Sequence, residues 1–185
     1  MMNSIQTQRC SHWIRKLLTA ALVLLPLIAQ AQCPGGVENA AIEAATPSDD
    51  FRPQADGTVQ HFNTRLVWQR CALGQTWDGT TCMGSPLLLD WESALVAARD
   101  HVQAGSSDWR VPNRNELTSI IESRCHSPAI NGEIFPATPQ EWFWSNSPLT
   151  GQVDQVWVVL FTDGELQAAS VNGLYAVRLV RAGRN

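Results

Sequence analysis

Two short runs rich in β-branched and aromatic residues open the patterned part of the chain. They cover residues 58–62 and 65–70 and flank the polar pair Asn63 and Thr64. Runs of this composition around a polar pair are typical of two strands joined as a hairpin. The pattern therefore predicts a β-hairpin whose second strand points Trp68 into the core.

Helical spacing of apolar residues occurs twice in the middle of the chain. Asp90 suits the N-cap of a first helix, whose buried face is predicted to consist of Ala94, Leu95, Ala98 and Val102. A second helix is predicted to begin at Asn113, with Glu116 three residues later as in a capping box, and to end near Cys125. Its inward side chains are expected to be Leu117, Ile120 and Ile121.

The C-terminal part changes to strand-like runs separated by turn residues. Strands are predicted at residues 143–144, 156–161, 166–170 and 174–181. Turns are predicted at Thr162-Asp163-Gly164 and Asn172-Gly173. Two helices between an N-terminal hairpin and a C-terminal antiparallel sheet predict an α+β domain.

The first 31 residues have the pattern of a cleavable signal peptide. Basic residues precede an apolar run over residues 17–29, which closes on Ala29-Gln30-Ala31, so cleavage is expected after Ala31. A membrane anchor needs about 20 apolar residues, whereas this run has 13 and contains Pro26. Lipidation of Cys33, just beyond the run, is a second alternative, although no small residue directly precedes that cysteine.

Cleavage leaves 154 residues, enough for one domain with a hydrophobic core. Residues 34–56 are rich in Pro, Gly, Ala, Asp and Glu and show little periodicity. We therefore expect a lead-in at residues 32–56 and the domain proper at 57–185, with packing beginning near Gly57.

Four cysteines follow the signal segment, and an even number in an oxidising compartment predicts two disulfide bonds. Three pairings are possible. Cys71 with Cys82 is favoured because that loop is short, which leaves Cys33 to tie the lead-in to Cys125. The CxxC pairs and histidine spacing of a zinc site are absent from the sequence, so no metal site is predicted.

The charge of the exported chain argues against nucleic acid as a partner. Residues 32–185 carry ten arginines, no lysine and 17 acidic residues, and no basic residues are adjacent. A chain with this net negative charge is repelled by DNA, RNA and anionic lipid.

No catalytic set has a recognisable spacing in the sequence. His61, His101 and His126 lie apart, and each is interpreted as a surface or helix-end histidine. The serines lack a nucleophile elbow, and two disulfides leave no free thiol. Carboxylates such as Asp78 and Glu116 are interpreted as helix caps and solvated turn residues. No catalytic residue and no cofactor are therefore predicted.

Seven tryptophans follow residue 31, which is a high content for a chain of this size. Most lie in apolar runs and are expected in the core. Trp77, in the loop between Cys71 and Cys82, and Trp142, beside Glu141, have polar neighbours and are the candidate binding residues. Exposed indole faces can stack on sugar rings, so glycan is a candidate ligand.

Several short strings together resemble the Lcl C-terminal domain-like family, named after the C-terminal domain of a bacterial collagen-like adhesin. The resemblance spans about residues 46–181. Its strings include Leu66-Val-Trp-Gln-Arg-Cys71, Gly74-Gln-Thr-Trp77, Trp109-Arg-Val-Pro-Asn113, Asn115-Glu-Leu117, Phe143-Trp-Ser145 and Val177-Arg-Leu-Val-Arg181. One departure is Thr64-Arg65-Leu66, where the family pattern leads us to expect Thr-Gly-Leu.

This resemblance implies a relation to the C-type lectin-like fold and an adhesive role. Together with the elements predicted above, the expected fold is an α+β, C-type lectin-like domain with two helices and an antiparallel sheet, stapled by disulfide bonds. We therefore expect a periplasmic or secreted binding or adhesion module for a surface glycan or an envelope protein. The alternatives are an enzyme with a nonstandard site and a structural component of an envelope or pilus assembly. Trp109 and Arg110 match the most specific string, and we interpret both as structural anchors of the turn into the second helix.

Overall fold

Short antiparallel sheets and two short helices make up the described part of the protein. The computed structural model describes residues 32–183, so the predicted signal segment lies outside the described residues. In chain order the strands are β1 Val37–Glu38, β2 Phe51–Pro53, β3 Thr58–His61, β4 Leu66–Gln69, β5 Thr76–Trp77, β6 Cys82–Met83, β7 Cys125–His126, β8 Trp142–Pro148, β9 Gln155–Leu160, β10 Leu166–Ser170 and β11 Val180–Ala182. The helices are α1 Trp91–Arg99 and α2 Arg114–Thr118. This arrangement confirms the α+β class.

Two larger sheets carry the core. One has the strand order β11-β4-β3-β2 and the other β10-β9-β8, with antiparallel pairing throughout. The predicted hairpin forms with Val59 opposite Trp68. Within residues 32–183, neither helix has the length or apolar content needed to cross a bilayer.

Arg65 occupies the hairpin position at which glycine is expected from the sequence analysis. Its φ is 58°, in the left-handed region, which costs a residue with a side chain about 1 kcal/mol. The backbone amide of Gly183 donates to the carbonyl of Arg65. The turn therefore keeps its left-handed backbone without glycine, and the C-terminal strand end helps to hold it.

Successive side chains of the strands enter two different core clusters. Trp68 and Phe143 belong to one cluster, while their neighbours Val67 and Trp144 belong to the other. Because successive strand residues point to opposite faces, both larger sheets are covered on both sides. This explains why their strands read as continuous apolar runs rather than alternating ones.

Residues 174–181 were predicted as one strand, but only Val180–Ala182 pairs as a strand. The preceding residues change partners along the segment: Tyr175 bonds Leu89, Ala176 bonds β8, and Val177 accepts from Leu73. This segment is a seam between the two larger sheets. It is extended, yet it cannot form a continuous ladder with any one neighbour.

Both predicted helices are shorter in the structure. The first ends at Arg99, so Val102 is 68% exposed and does not extend the buried face. The second ends at Thr118, and Ile120 is buried from the irregular segment that follows. Apolar spacing identified Ala94, Ala98, Leu117 and Ile120 as buried but was wrong for Val102, because the pattern continues beyond the end of each helical backbone.

The lead-in residues pair with the domain. Val37–Glu38 pairs with Cys125–His126, and Phe51–Pro53 forms the edge of the four-stranded sheet. Phe51 is buried and stacks on His61, with ring centroids 4.5 Å apart. Packing therefore begins before residue 57, and His61 is a buried histidine rather than the predicted surface one. The proposed boundary between a lead-in at 32–56 and a domain at 57–185 stays a prediction.

Two disulfide bonds join Cys71 to Cys82 and Cys33 to Cys125. This is the pairing that loop length favoured in the sequence. The sulfur of Cys33 is thus bonded to Cys125 and is not free for lipidation.

Glu122 holds the lead-in through hydrogen bonds to its side-chain carboxylate. Its fully buried carboxylate accepts hydrogen bonds from the backbone amides of Ala45, Thr46 and Arg124 and from the Thr46 hydroxyl, at 2.7 to 3.0 Å. Burial raises the pKa of Glu122, but these four bonds together lower it below its ordinary value of 4.5.

Glu122→Gln should destabilise the protein by about 2 kcal/mol at pH 7, because the carboxylate is the stronger acceptor. The lowered pKa means that the contribution of Glu122 is complete above its unfolded pKa of 4.5 and is lost as the pH falls through the folded value. Urea unfolding of both proteins between pH 7 and pH 3 should show the gap closing below pH 4.5. Glu43→Gln, an exposed change in the same segment, should leave stability unchanged.

The turn into α2 has the predicted anchors. Trp109 is 3% exposed and donates from its indole nitrogen to the carbonyl of Gln103. Arg110 forms two 2.7 Å hydrogen bonds to Glu116. Asn113 and Glu116 complete a capping box.

Trp109→Ala should therefore destabilise the domain by about 3 to 5 kcal/mol, the usual cost of removing a buried tryptophan. Thermal unfolding of the disulfide-bonded protein measures it. The half-buried Trp77 offers the comparison, and Trp77→Ala should lower the melting temperature less. A Trp109→Ala protein that melts like wild type would contradict the structural interpretation.

Candidate functional site

An open cleft of about 510 Å³ lies where the end of β4 meets the β5–β6 hairpin and the segment after α1. Trp77 lines it from the hairpin, and Gln69 lines it from β4. His101 and Gln103 line it from the segment after α1, and Asp56 from the turn before β3. We call this surface the Trp77 cleft. A concave site with an aromatic side chain and a few convergent polar groups is typical of ligand binding.

Trp77 is held in place from several directions. Its indole nitrogen donates to the carbonyl of Ala55 at 3.2 Å, and the guanidinium of Arg70 lies 4.2 Å from its ring centroid. The Cα of Gly57 approaches so closely that an added Cβ would lie 2.8 Å from the Trp77 ring. The Cys71–Cys82 bond closes the hairpin that carries the tryptophan. Trp77 is therefore a preorganised ring at the cleft wall.

A chain of polar side chains links the floor of the cleft to its rim. The Gln69 amide nitrogen lies 2.5 Å from His101 Nε2 and donates to Gln103 Oε1 at 2.5 Å. Gln103 donates in turn to the backbone carbonyl of Asp56 at 3.0 Å. The Asp56 carboxylate accepts from the amide and hydroxyl of Thr58. These contacts fix the orientation of each polar group that a ligand would meet.

Two buried arginines, next to the residues that line the cleft, donate hydrogen bonds to backbone carbonyls. Arg70 donates to the carbonyls of Glu133 and Ile134, and burial lowers its pKa. Arg178 is fully buried and donates to the carbonyls of Gln69 and Arg70. Burial, with the nearby charge of Arg70, lowers the pKa of Arg178 to about 9. The arginines hold the end of β4, from which Gln69 reaches the cleft floor.

The structure does not bring the two predicted tryptophans together. Trp77 lies in the cleft. Trp142 is half-buried, packs against the core cluster that contains Trp144, and is not among the residues lining the cleft. Its role as a contact stays a prediction. Within residues 32–183, no three histidine, cysteine or acidic side chains are grouped so that they could hold a metal ion.

Sequence reasoning did not predict Gln69, His101, Gln103 and Asp56 as members of one site. They come from three separate segments, so no spacing rule connects them. One signal was available: Gln69 and Arg70 are polar residues in a run that otherwise reads as a core strand. Polar residues in such positions need partners, and the partners of Gln69, His101 and Gln103, line the cleft.

Comparison with known proteins gives one family. A family model described as the Lcl C-terminal domain matches residues 57–181, well over half of the chain. The comparison with curated proteins gives no match. The matched span contains Gln69, Trp77, His101 and Gln103.

Gly57→Ala should displace Trp77, because the new methyl group would meet the ring at 2.8 Å. Gly79→Ala is the matched control: both glycines have a positive φ, 80° and 103°, but nothing lies within 4 Å of a Cβ at residue 79. Both variants bear backbone strain. The contribution of Trp77 to the fluorescence spectrum is obtained by subtracting the spectrum of Trp77→Ala, and only Gly57→Ala should change this contribution. Equal spectra for the two variants would contradict this packing.

Proposed function

The chain belongs to the Lcl C-terminal domain family, and from this premise we propose that it is an exported binding or adhesion module for a surface glycan or protein partner, with the Trp77 cleft as its contact surface. The observation that carries the proposal is the preorganised Trp77 ring beside the amides of Gln69 and Gln103. A fixed aromatic face supplies contact area at small entropic cost, and neighbouring amides supply orientation.

Export is supported by two independent features. Residues 1–31 have the pattern of a signal peptide, and both disulfide bonds require an oxidising compartment to persist. A periplasmic or secreted location is therefore part of this proposal. The relation to C-type lectin-like folds, which the family resemblance implied, belongs to the same proposal.

The carboxylate content of the cleft favours binding over catalysis. Among its lining residues in the described chain, Asp56 alone is acidic. One Asp56 oxygen already accepts two hydrogen bonds from Thr58, at 2.7 and 3.0 Å. General acid–base chemistry needs a group free to exchange a proton with the substrate. This carboxylate is engaged in shaping the turn, and Nε2 of His101, the other titratable lining side chain, lies 2.5 Å from the Gln69 amide nitrogen.

Trp77→Ala should weaken binding by about tenfold or more, corresponding to about 1.4 kcal/mol of lost stacking and contact area. The measurement is a glycan array together with capture of envelope proteins, using purified protein with both disulfide bonds formed. Affinities of the hits are then compared between variants.

Trp157→Ala is the matched control. Trp157 is also half-buried, also lies beneath an arginine, at 5.1 Å from Arg114, and is outside the Trp77 cleft. It should bind like wild type. Trp142→Ala tests the second predicted contact. No binding in either screen, or loss of binding in Trp157→Ala alone, would overturn the proposal.

A further inference from the structure

The hydrogen-bonding groups that face the Trp77 cleft are mainly uncharged amides. Gln69, Gln75 and Gln103 each line it. Gln69 directs its amide nitrogen to both His101 and Gln103. The amides of Gln75 and Gln103 also have protein partners, so the Gln69 amide oxygen is the one side-chain amide oxygen of the three without a partner among residues 32–183. An amide both donates and accepts, and so does a sugar hydroxyl. The cleft is thus matched in chemistry to neutral polyhydroxylated ligands.

The two cations nearest the cleft are already engaged. Arg70 is 8% exposed, stacks on Trp77 and donates to the carbonyls of Glu133 and Ile134. Arg178 is fully buried and donates to backbone carbonyls and to Thr138. Neither arginine is a lining residue, and no other arginine lines the described cleft. Among the described residues, a ligand anion would find no arginine or lysine lining the cleft.

Negative charge instead lies at the rim. Asp56 lines the cleft, and the exported chain carries 17 acidic residues against ten arginines. A ligand carboxylate or sulfate placed beside Asp56 would lose hydration and meet a like charge, both of which are unfavourable.

From these observations we infer that the Trp77 cleft binds an uncharged sugar, stacked on Trp77 and hydrogen-bonded to the glutamine amides, and excludes acidic glycans. The inference rests on the proposed binding function and specifies its ligand class. Arg70 covers the Trp77 ring from one side, so the sugar contacts the part of the ring that faces the cleft. The volume of about 510 Å³ lies within the range of sites for small ligands.

The test compares neutral oligosaccharides of hexose and N-acetylhexosamine with the same compounds oxidised at C6 to uronates. Isothermal titration at low ionic strength, where charge effects are least screened, measures both series on the disulfide-bonded protein. We expect neutral compounds to bind, Trp77→Ala to weaken them at least tenfold, and uronates to bind at least tenfold more weakly than their neutral counterparts.

Asp56→Asn should narrow the gap between the uronates and their neutral counterparts, since it removes the like charge while Asn can still accept from Thr58. Asp163→Asn is the control, because Asp163 is exposed, accepts the amide two residues later in the same way, and is not a cleft-lining residue. It should change neither series. Melting temperatures of both variants verify folding.

Trp77-dependent binding of uronates as tight as that of neutral sugars would overturn the inference and leave the binding proposal intact. Capture of an envelope protein through the cleft, with no sugar bound, would do the same. Absence of any ligand would overturn both.

Discussion

The fully buried guanidinium group of Arg178 constrains the relative positions of several segments of the protein. Arg178 lies against the rings of Phe135 and Phe143, and it donates to the carbonyls of Gln69 and Arg70. Among residues 32–183 no carboxylate lies within 4 Å of it. A buried charge without a counterion is stable only while polar groups surround it. The end of β4 and the loop that contains Thr138 supply those groups. Both must therefore keep their positions relative to residues 174–179, the seam that contains Arg178.

The Trp77 cleft is attached to this arrangement through Arg70. Carbonyls of the loop after β7 hold the Arg70 guanidinium, and Trp77 lies over it. The Cys71–Cys82 bond closes the hairpin from the other end. The candidate binding ring is thus connected to the core by hydrogen bonds, a cation–π contact and a covalent bond. Such preorganisation lowers the entropy cost of binding.

The N-terminal segment is held by a different principle. Its residues bury little apolar surface apart from Phe51, and Glu122 supplies a buried anion that binds the amides of Ala45 and Thr46. Cys33 adds a bond to Cys125 close to the same place. The hydrogen bonds to Glu122 and the Cys33–Cys125 disulfide hold this segment in place of a buried apolar face. Such contacts leave no apolar pattern in the sequence, so the segment was predicted to be an unpacked lead-in.

Local patterns predicted the features that depend on local physics. Composition around the 63–64 turn predicted the hairpin, the side chains of Asp90 and Asn113 predicted two helix starts, and loop length favoured the observed disulfide pairing. The ends of the helices were overestimated because apolar spacing continues through the turns that follow them. Trp109, interpreted as an anchor of the turn into α2, is buried, whereas Trp77, whose neighbours in the sequence are polar, is half-exposed.

By itself, the sequence determined the α+β class, the family, the starts of both helices, the starts of β3, β4, β8, β9 and β10 to within one residue, and Trp77 as a candidate contact. Only the tertiary structure decided that residues 174–179 form a seam between sheets and that Arg178 is buried with no carboxylate partner among the described residues. It also decided that three distant segments bring Gln69, His101 and Asp56 to one cleft. The reason is physical. Propensity and periodicity act over a few residues, whereas the partners of a buried charge or amide come from whichever segments the packed core places beside it.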